Sequence, residues 1–593
     1  MNQLQKHLTF LYGGDESARL FEQTQQIIEK YRQKIKPSSD SLTERDSILI
    51  TYGDQVQKEN QKPLQTLKIF CDQYLSDIVE GIHILPFYPW TSDDGFSVVD
   101  YRLIDKKLGD WEDVSALQTN FKLMFDAVIN HISSKSEWFQ KFLQADSNYQ
   151  NYFITIEGSP DLSQVVRPRA LPLLTSFTTS AGEKKVWTTF SADQIDLNYK
   201  NPQVLLEILD ILCLYVQHGA TFIRLDAIAY MWKEIGTSCI HLPQTHAIIQ
   251  FLREALNQIA PHVNLITETN VPHIDNISYF GNGTNEAQLV YNFALPPLTL
   301  HTFHTEDATV LSNWAKTLTL PSDKTTFFNF LASHDGVGLN PARGILSNAE
   351  IDSLVEKTLA HGGLISYKNN SDGSQSPYEM NINYFDALSN PSLSPRTATK
   401  ATTTKATTTK ATTLHSPSSA SEEDINIQVS RFICAQAIML SIIGVPAIYF
   451  HSLFGSRNWH EGVKQTGHNR TINRQKCSFD ELQKELQNES SLRAKVFKKY
   501  SALLKARRSS PAFHPHGAQK ILEFHKSIFA VERIAPNEKL SVVCLYNISS
   551  QKISFSTNFE SAFDLLNNQT VQISNLSLEP YQVMWAKRNI TAE

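Results

Sequence analysis

The sequence predicts an α/β protein built on a (β/α)8 (TIM) barrel. Apolar runs of strand length alternate with longer amphipathic stretches, which is the pattern of repeated βα units. Several runs end directly in polar or charged side chains, and in such a barrel the carboxyl ends of the strands meet at one mouth. The 593 residues are too many for one core but suit a barrel of about 250 residues with inserted and appended domains.

Three of these apolar runs lead to carboxylates that we expect to face one cavity. They are Asp226, Glu268 and Asp335. Arg224 lies two residues before the first of them and therefore on the same face of its strand. Another run ends at His131. Two carboxylates that flank a sugar bond are what retaining glycoside hydrolysis or transfer requires, because one attacks and the other gives and then recovers a proton.

The segments around these strand ends resemble the four sequence motifs of the α-amylase family (glycoside hydrolase family 13). These segments are Asp126-Ala-Val-Ile-Asn-His131, Arg224-Leu-Asp-Ala227, Thr267-Glu268 and Ser333-His-Asp335. The segment Gln194-Ile-Asp-Leu-Asn198 resembles an additional motif of the same family. Five further segments are similar to the sucrose phosphorylase branch. They begin at Asp93, Arg167, Lys233, Phe293 and Arg470. The resemblance spans about residues 48–474 in matching order and spacing.

The resemblance implies a catalytic role for each carboxylate. Asp226 is the expected nucleophile, Glu268 the general acid and base, and Asp335 with His334 binds sugar hydroxyls. Arg224 keeps Asp226 ionised, because a neighbouring cation lowers the pKa of a carboxylate. Glu268 needs a raised pKa to act as an acid, which burial and the nearby negative charge of Asp226 would supply.

The resemblance also implies the side chains that bind the substrates. Asp93 is expected against a sugar hydroxyl, since a carboxylate accepts strong hydrogen bonds from a diol. Arg169 matches the position at which the branch presents a cation to phosphate. Without the resemblance, Asp93 is interpreted as a turn residue and Arg169 as a solvated charge. The other implied binding residues are Phe96, His131, Phe190, Gln194, Arg224, His334 and Arg474.

The predicted reaction is transfer of an α-glucosyl unit from sucrose or a related α-glucoside to inorganic phosphate, through a β-glucosyl-enzyme, to give α-glucose 1-phosphate. The loop 279–286 differs from the corresponding loop of plain sucrose phosphorylases and resembles that of relatives that act on glucosylglycerate, glucosylglycerol or sucrose 6-phosphate. The identity of the leaving group is therefore not determined by the motifs. A retaining α-glucosidase or transglucosylase has the same carboxylates and is the first alternative. A non-catalytic amylase-like binding subunit is the remote alternative.

Composition restricts the partners and the compartment. With 54 basic and 60 acidic side chains, a formal charge of −6 and no basic block, neither nucleic acid nor an anionic membrane is an expected partner. Six scattered cysteines favour reduced thiols in a cytoplasm, and the first eleven residues are too polar for a signal peptide. We therefore expect a cytoplasmic monomer or homodimer. The sequence lacks an Asp-rich calcium loop and the branch is generally metal-free, so neither a metal nor another cofactor is expected.

The predicted domain order follows from the motifs and from shifts in composition. A helical extension (1–45) precedes the barrel, whose parts are 46–131, 201–335 and 429–511. The insertions are domain B (132–200) and a small subdomain (336–428), and residues 512–593 form an antiparallel β domain. Residues 391–424 contain a threonine-lysine repeat of period five that cannot bury an apolar face, and this loop is predicted to be disordered.

Overall fold

The computed structural model describes residues 2–36, 41–169, 171–370, 374–389 and 422–590, so most of the 391–424 repeat, which the sequence predicts to be disordered, lies outside the described residues. Within this part of the chain, eight parallel strands close a barrel in sequence order, with the eighth pairing to the first. They are β1 (Ile48–Thr51), β2 (Gly81–Ile84), β3 (Lys122–Ala127), β4 (Ala220–Leu225), β5 (Asn264–Thr267), β6 (Leu289–Tyr291), β7 (Thr326–Asn329) and β8 (Val445–Tyr449). The predicted fold class is confirmed.

Helices between the strands cover the outside of the barrel. Proline begins three of them, at Pro63, Pro202 and Pro243, where its missing N–H costs no hydrogen bond. The α-helices of the barrel part of the chain are Pro63–Tyr74, Trp111–Leu117, Pro202–Gln217, Pro243–Asn257, His273–Ile277, Leu295–Thr305, Thr309–Ala315, Glu422–Ser441, Phe450–Leu453, His460–Thr466, Phe479–Gln487 and Leu492–Arg508. Short 3-10 helices lie at Asp93–Gly95, Ile228–Tyr230, Ser278–Phe280, Asn340–Ala342, Asn469–Asn473 and Pro511–Phe513.

The N-terminal extension consists of two helices, Gln3–Tyr12 and Gly14–Arg32. They are separated at Gly13, whose φ of 85° lies in the region that favours glycine. The first packs against Pro243–Asn257 and the second against Pro202–Gln217. The extension therefore covers two barrel helices on the side away from the strands, and Pro202–Gln217 is correspondingly apolar over most of its surface.

Two insertions interrupt the barrel. Domain B contains the helix Glu137–Leu143, a sheet of Thr155–Ile156, Gly182–Trp187 and Leu174–Thr179, and the pair His131–Ser133 with Gln194–Asp196. The subdomain after β7 contains the helices Asn348–Ala360 and Tyr384–Leu388, and a sheet in the order Val337–Gly338, Gln375–Asn381, Leu364–Asn369. Both insertions leave the barrel from the carboxyl ends of strands, so both lie at its mouth.

The C-terminal domain is antiparallel. Its larger sheet has the order Ala518–Leu522, Ile528–Ile534, Leu540–Asn547, Val583–Asn589, Ser561–Asp564, Gln569–Gln572. Ile553–Ser556 pairs with Asn575–Leu578, and Val56–Gln57 near the barrel pairs with Cys477–Ser478. No helix in the described ranges has the length and apolar character needed to cross a membrane. All six cysteines are buried and free.

Arg507 lies at the amino-terminal end of the barrel strands, opposite the mouth. It joins the barrel there to the N-terminal extension and to the C-terminal domain. Its side chain is buried and donates to the carbonyls of Leu440 at 3.1 Å, Gly444 at 3.3 Å and Phe513 at 3.1 Å. The carbonyls of Glu44 and Asp46 accept from its third nitrogen. Burial lowers the pKa of Arg507 to about 9, which still leaves it charged at neutral pH. One guanidinium thus satisfies carbonyls from the N-terminal extension, the last barrel helices and the C-terminal domain.

We expect Arg507→Met to reduce the free energy of unfolding by about 3–5 kcal/mol, because several buried carbonyls lose their donors while the apolar stem is kept. Chemical denaturation of the purified variant measures this. Lys505→Met, on the exposed face of the same helix, is the matched control and should change stability by less than about 0.5 kcal/mol. Equal effects from both substitutions would contradict the anchoring role of Arg507.

Candidate active site

The backbone places two of the predicted carboxylates directly at the barrel mouth. Asp226 follows β4 and its N–H donates to the carbonyl of Ala127 at 3.1 Å. Glu268 follows β5 and its N–H donates to the carbonyl of Leu225 at 3.2 Å. The strand hydrogen bonds therefore continue one residue beyond each strand. This fixes the two carboxylates at adjacent strand ends.

A buried arginine supports the carboxylate of Asp226. The register of β3 and β4 places Arg224 beside Asp126. Its Nη1 lies 2.5 Å from Asp126 Oδ1 and 2.7 Å from Asp226 Oδ1, and its Nη2 lies 3.8 Å from Glu268 Oε2. His83 Nε2 lies 2.6 Å from the other oxygen of Asp126. Burial raises the pKa of Asp226, and the positive charge of Arg224 limits this rise.

Glu268 is set up to hold a proton near neutral pH. Burial raises its pKa to about 7, and the negative charges of Asp226 and Asp335 contribute to the rise. Arg224 and the N–H of Ala227, which lies 3.1 Å from Oε2, act in the opposite direction. The raised pKa agrees with the expectation from the sequence and is the value a general acid needs.

Asp335 is held in the opposite charge state. Burial disfavours its carboxylate, but the positive charges of Arg470 and Arg474 outweigh burial and lower its pKa. Arg470 Nη1 lies 2.5 Å from Asp335 Oδ1 and Arg474 Nη2 lies 3.7 Å from it. His334 Nε2 lies 3.4 Å from Oδ2, and burial lowers the pKa of this imidazole to about 3. Asp335 is therefore charged and His334 neutral at pH 7.

The three carboxylates open into one cavity, and most of the predicted binding residues line it. The predicted residues in its wall are Asp93, Phe96, His131, Arg169, Phe190, Gln194 and His334. Arg474 instead lines a second cavity, which adjoins the first on its outer side and shares Arg169 and Arg470 with it. Arg224 is not in either wall but lies behind Asp226.

Aromatic side chains form the apolar parts of the inner wall. Phe96 stacks on His334 with ring centroids 4.7 Å apart. Phe190 lies 5.3 Å from His131 and 5.5 Å from Tyr230. The Nε2 atom of His131 lies 2.9 Å from the carbonyl oxygen of Phe96, which fixes the ring, and burial lowers the pKa of this histidine. Flat apolar walls beside carboxylates suit a sugar ring, which has apolar faces and polar edges.

The acidic turn after β2 is strained and paired with arginines. Asp93, Asp94 and Gly95 all have positive φ, at 54°, 49° and 107°. A side chain at Gly95 would come within 2.7 Å of a backbone oxygen, so glycine is required there. Arg169 Nη2 lies 2.9 Å from Asp93 Oδ2, and Arg474 Nη1 lies 2.6 Å from Asp94 Oδ2. Backbone strain of this kind persists where surrounding contacts hold it, and it is frequent at functional sites.

The cavity also contains residues to which the sequence analysis gave no role. They include Tyr230, Asn270, Tyr378 and Arg470, with Glu379 in the outer wall. Arg470 lies four residues before Arg474 in a branch-like motif, which is a usable signal. Tyr378 and Glu379 come from the inserted sheet, and no local pattern shows that this sheet folds over the mouth. The loop 279–286, by contrast, is absent from both walls: its Glu286 lies close to side chains of the helix Pro243–Asn257.

Lys233 joins domain B to the barrel. Its buried Nζ lies 2.9 Å from Asn130 Oδ1, which follows β3, and 2.5 Å from Asp196 Oδ2, near the end of domain B. Asn130 also donates to Asp196 at 3.2 Å. A buried ammonium therefore bridges the start and the end of the insertion that carries Arg169. In the described residues, no group of three or more His, Cys, Asp or Glu side chains has the arrangement of a metal site.

The chain is similar to several known proteins. A sequence model of the α-amylase catalytic domain matches residues 72–338. A glucosylglycerate phosphorylase of Spirochaeta thermophila is 45% identical over 99% of this chain and 98% of its own. One of Allomeiothermus silvanus is 46% identical over 98% of this chain and 97% of its own. The crystal structure of sucrose 6F-phosphate phosphorylase from Thermoanaerobacter thermosaccharolyticum superposes with a TM-score of 0.71 at 24% identity, over 91% of this chain and 100% of that chain.

The chain therefore belongs to the α-amylase family. Within that family it is an enzyme of the glycoside phosphorylase branch, which transfers glycosyl groups, as its motifs predicted.

We expect Lys233→Met to destabilise the protein by about 3 kcal/mol, because it leaves Asp196 buried without its cation. Denaturant unfolding measures the loss, and limited proteolysis within residues 132–200 reports whether domain B has loosened. The double substitution Lys233→Met with Asp196→Asn removes both charges and should recover part of the stability. A double variant no more stable than the single one would contradict the ion pair as the cause.

Proposed function

We propose that this enzyme transfers the α-glucosyl unit of glucosylglycerate to inorganic phosphate and releases glycerate and α-glucose 1-phosphate. The observation that carries the proposal is the group of three arginines, Arg169, Arg470 and Arg474, at the outer side of the cavity that holds Asp226 and Glu268. Glycerate and phosphate are both anions and are used in succession at the same face of the sugar. Guanidinium groups bind both kinds of oxygen anion well.

The first step forms a covalent intermediate. The carboxylate of Asp226 attacks the anomeric carbon from the face opposite the leaving group, and the bond to the glycerate oxygen breaks. Glu268 gives its proton to that oxygen, so glycerate leaves as an alcohol. Arg224 holds Asp226 in place through the 2.7 Å contact and favours its charged form. The product is a β-glucosyl-enzyme.

In the second step phosphate enters the space that glycerate has left. A phosphate oxygen attacks the anomeric carbon, the bond to Asp226 breaks, and Glu268 takes back a proton from the phosphate. Two inversions give net retention, and the product is α-glucose 1-phosphate. Water in the same position would instead give glucose, so bound phosphate and the arginines around it must keep water out.

Asp335 and His334 are proposed to bind adjacent hydroxyls of the glucosyl ring. The ring carries positive charge in the transition state, and a charged carboxylate nearby is favourable there. The arginines that lower the pKa of Asp335 keep it charged. His131, Gln194, Phe96 and the other wall residues orient the ring.

Glycerate as the leaving group is supported by two kinds of observation. The relatives that are 45% and 46% identical over nearly the whole chain are glucosylglycerate phosphorylases. The outer cavity also presents three guanidinium groups, which suit a leaving group that is an anion. Arg169 pairs with Asp93, and Arg474 pairs with Asp94. An anion that enters the cavity can replace these carboxylates as the partner of the two guanidinium groups.

The test is to measure release of α-glucose 1-phosphate, with and without inorganic phosphate, from glucosylglycerate, glucosylglycerol, sucrose and sucrose 6-phosphate. We expect phosphate-dependent release that is largest, by kcat/KM, for glucosylglycerate. Asp226→Asn should abolish release with the fold intact, because it removes the attacking carboxylate. Phosphate-independent release of glucose would instead indicate a hydrolase, and a preference for another donor would remove glycerate as the leaving group.

The raised pKa of Glu268 predicts how activity depends on pH. Because the first step needs the protonated acid and the pKa is about 7, kcat/KM should fall about tenfold per pH unit above pH 7. Glu268→Gln should lose this alkaline decrease. The comparison uses glucosylglycerate for both enzymes, and with α-glucosyl fluoride, whose leaving group needs no acid, the wild-type decrease should also disappear. An alkaline decrease that persists in the Gln variant would assign the titration to another group.

A further inference from the structure

A buried glutamate from the inserted subdomain touches the active site through an arginine. Glu379 lies in the strand Gln375–Asn381 and is 1% exposed. Its Oε1 accepts from Arg470 Nε at 3.0 Å and its Oε2 from Arg470 Nη2 at 2.7 Å. Oε1 also accepts the backbone N–H of Gly336 at 3.1 Å. This carboxylate takes no direct part in the two steps of glucosyl transfer.

The guanidinium of Arg470 is divided between two carboxylates. Glu379 takes Nε and Nη2, which form one two-pronged edge, and only Nη1 is left for Asp335, at 2.5 Å. A two-pronged pairing is the strongest geometry between arginine and a carboxylate. Because the guanidinium is planar and rigid, fixing two of its nitrogens also fixes the direction of the third.

We propose that Glu379 is a positioning residue for glucosyl transfer. It holds the two-pronged edge of Arg470, so that Asp335 receives only one contact from this arginine and keeps oxygen lone pairs for the sugar hydroxyls. Without Glu379, the two-pronged pairing passes to Asp335 and draws its carboxylate away from the sugar. The inference rests on the proposed role of Asp335 in binding the glucosyl ring.

The same glutamate fixes the backbone next to Asp335. Gly336 follows Asp335 directly and its N–H is held by Glu379. A side chain at Gly336 would come within 2.6 Å of Glu379 Cγ and of the Met380 carbonyl oxygen, so this close approach requires glycine. The strand Val337–Gly338 then pairs with Gln375–Asn381. Glu379 thus acts on Asp335 in two ways, through Arg470 and through the backbone N–H of Gly336.

The experiment compares Glu379→Gln, Arg470→Lys and the double variant. Each is assayed by fluoride release from α-glucosyl fluoride and by phosphorolysis of glucosylglycerate. We expect Glu379→Gln to lower kcat about 10- to 100-fold, the range for losing a hydrogen bond to a charged group, with KM changed less than about threefold. Because Glu379 acts through Arg470, the double variant should be no slower than Arg470→Lys alone.

Controls separate positioning from loss of structure. Met380→Leu, a volume-conserving change at the next residue of the same buried strand, should leave kcat within about twofold. Melting temperatures are measured for every variant. Should the Gln variant unfold, Glu379→Asp keeps the charge but shortens the side chain by one carbon, and it carries the same expectation.

Two results would overturn the inference. In the first, the decreases in kcat caused by Glu379→Gln and by Arg470→Lys multiply in the double variant. In the second, Glu379→Gln raises KM and leaves kcat unchanged. Its failure is distinguishable from failure of the proposed substrate. Wild-type enzyme that releases fluoride but forms no α-glucose 1-phosphate from glucosylglycerate would refute the substrate while the comparison of variants still stands.

Discussion

The Arg224 guanidinium lies inside the barrel with a carboxylate on each side, Asp126 from β3 and Asp226 after β4. Removing either partner would leave a charge buried in a medium where solvation cannot compensate it. The register of the two strands, which sets Arg224 beside Asp126, is thereby tied to the orientation of Asp226. His83 holds the far oxygen of Asp126, so the arrangement continues one strand further around the barrel. The position of Asp226 is consequently a property of the barrel interior rather than of a loop.

Three carboxylates share one cavity, and the charged groups around each of them give them different pKa values. Glu268 has few cationic contacts, and burial with two nearby negative charges raises its pKa. Burial acts on Asp335 in the same direction, but Arg470 and Arg474 lie beside it, and its pKa is lowered. Asp226 has Arg224. Burial acts on all three in the same direction, so the distribution of arginines decides which carboxyl can give a proton and which stays charged.

Both insertions contribute charge at the mouth, and both are connected to the barrel by buried ionic contacts. Lys233 closes the base of domain B, which supplies Arg169. Arg470 and Glu379 connect the subdomain sheet to Asp335. Side chains that reach a reacting centre from an inserted loop need such supports, because a small displacement at this range weakens transition-state contacts.

The sequence alone determined the barrel, the three carboxylates and the α-amylase family, because strand periodicity and residues at strand ends are local patterns. It also named most side chains in the inner wall through their motifs. It could not show that Glu379 shares Arg470 with Asp335, that Lys233 bridges Asn130 and Asp196, or that the loop 279–286 packs away from the cavity. Those contacts join residues tens to more than a hundred positions apart, and the paths of the insertions over the mouth decide them. Only the tertiary structure fixes such paths, since they depend on packing between whole elements and not on the order of residues within one.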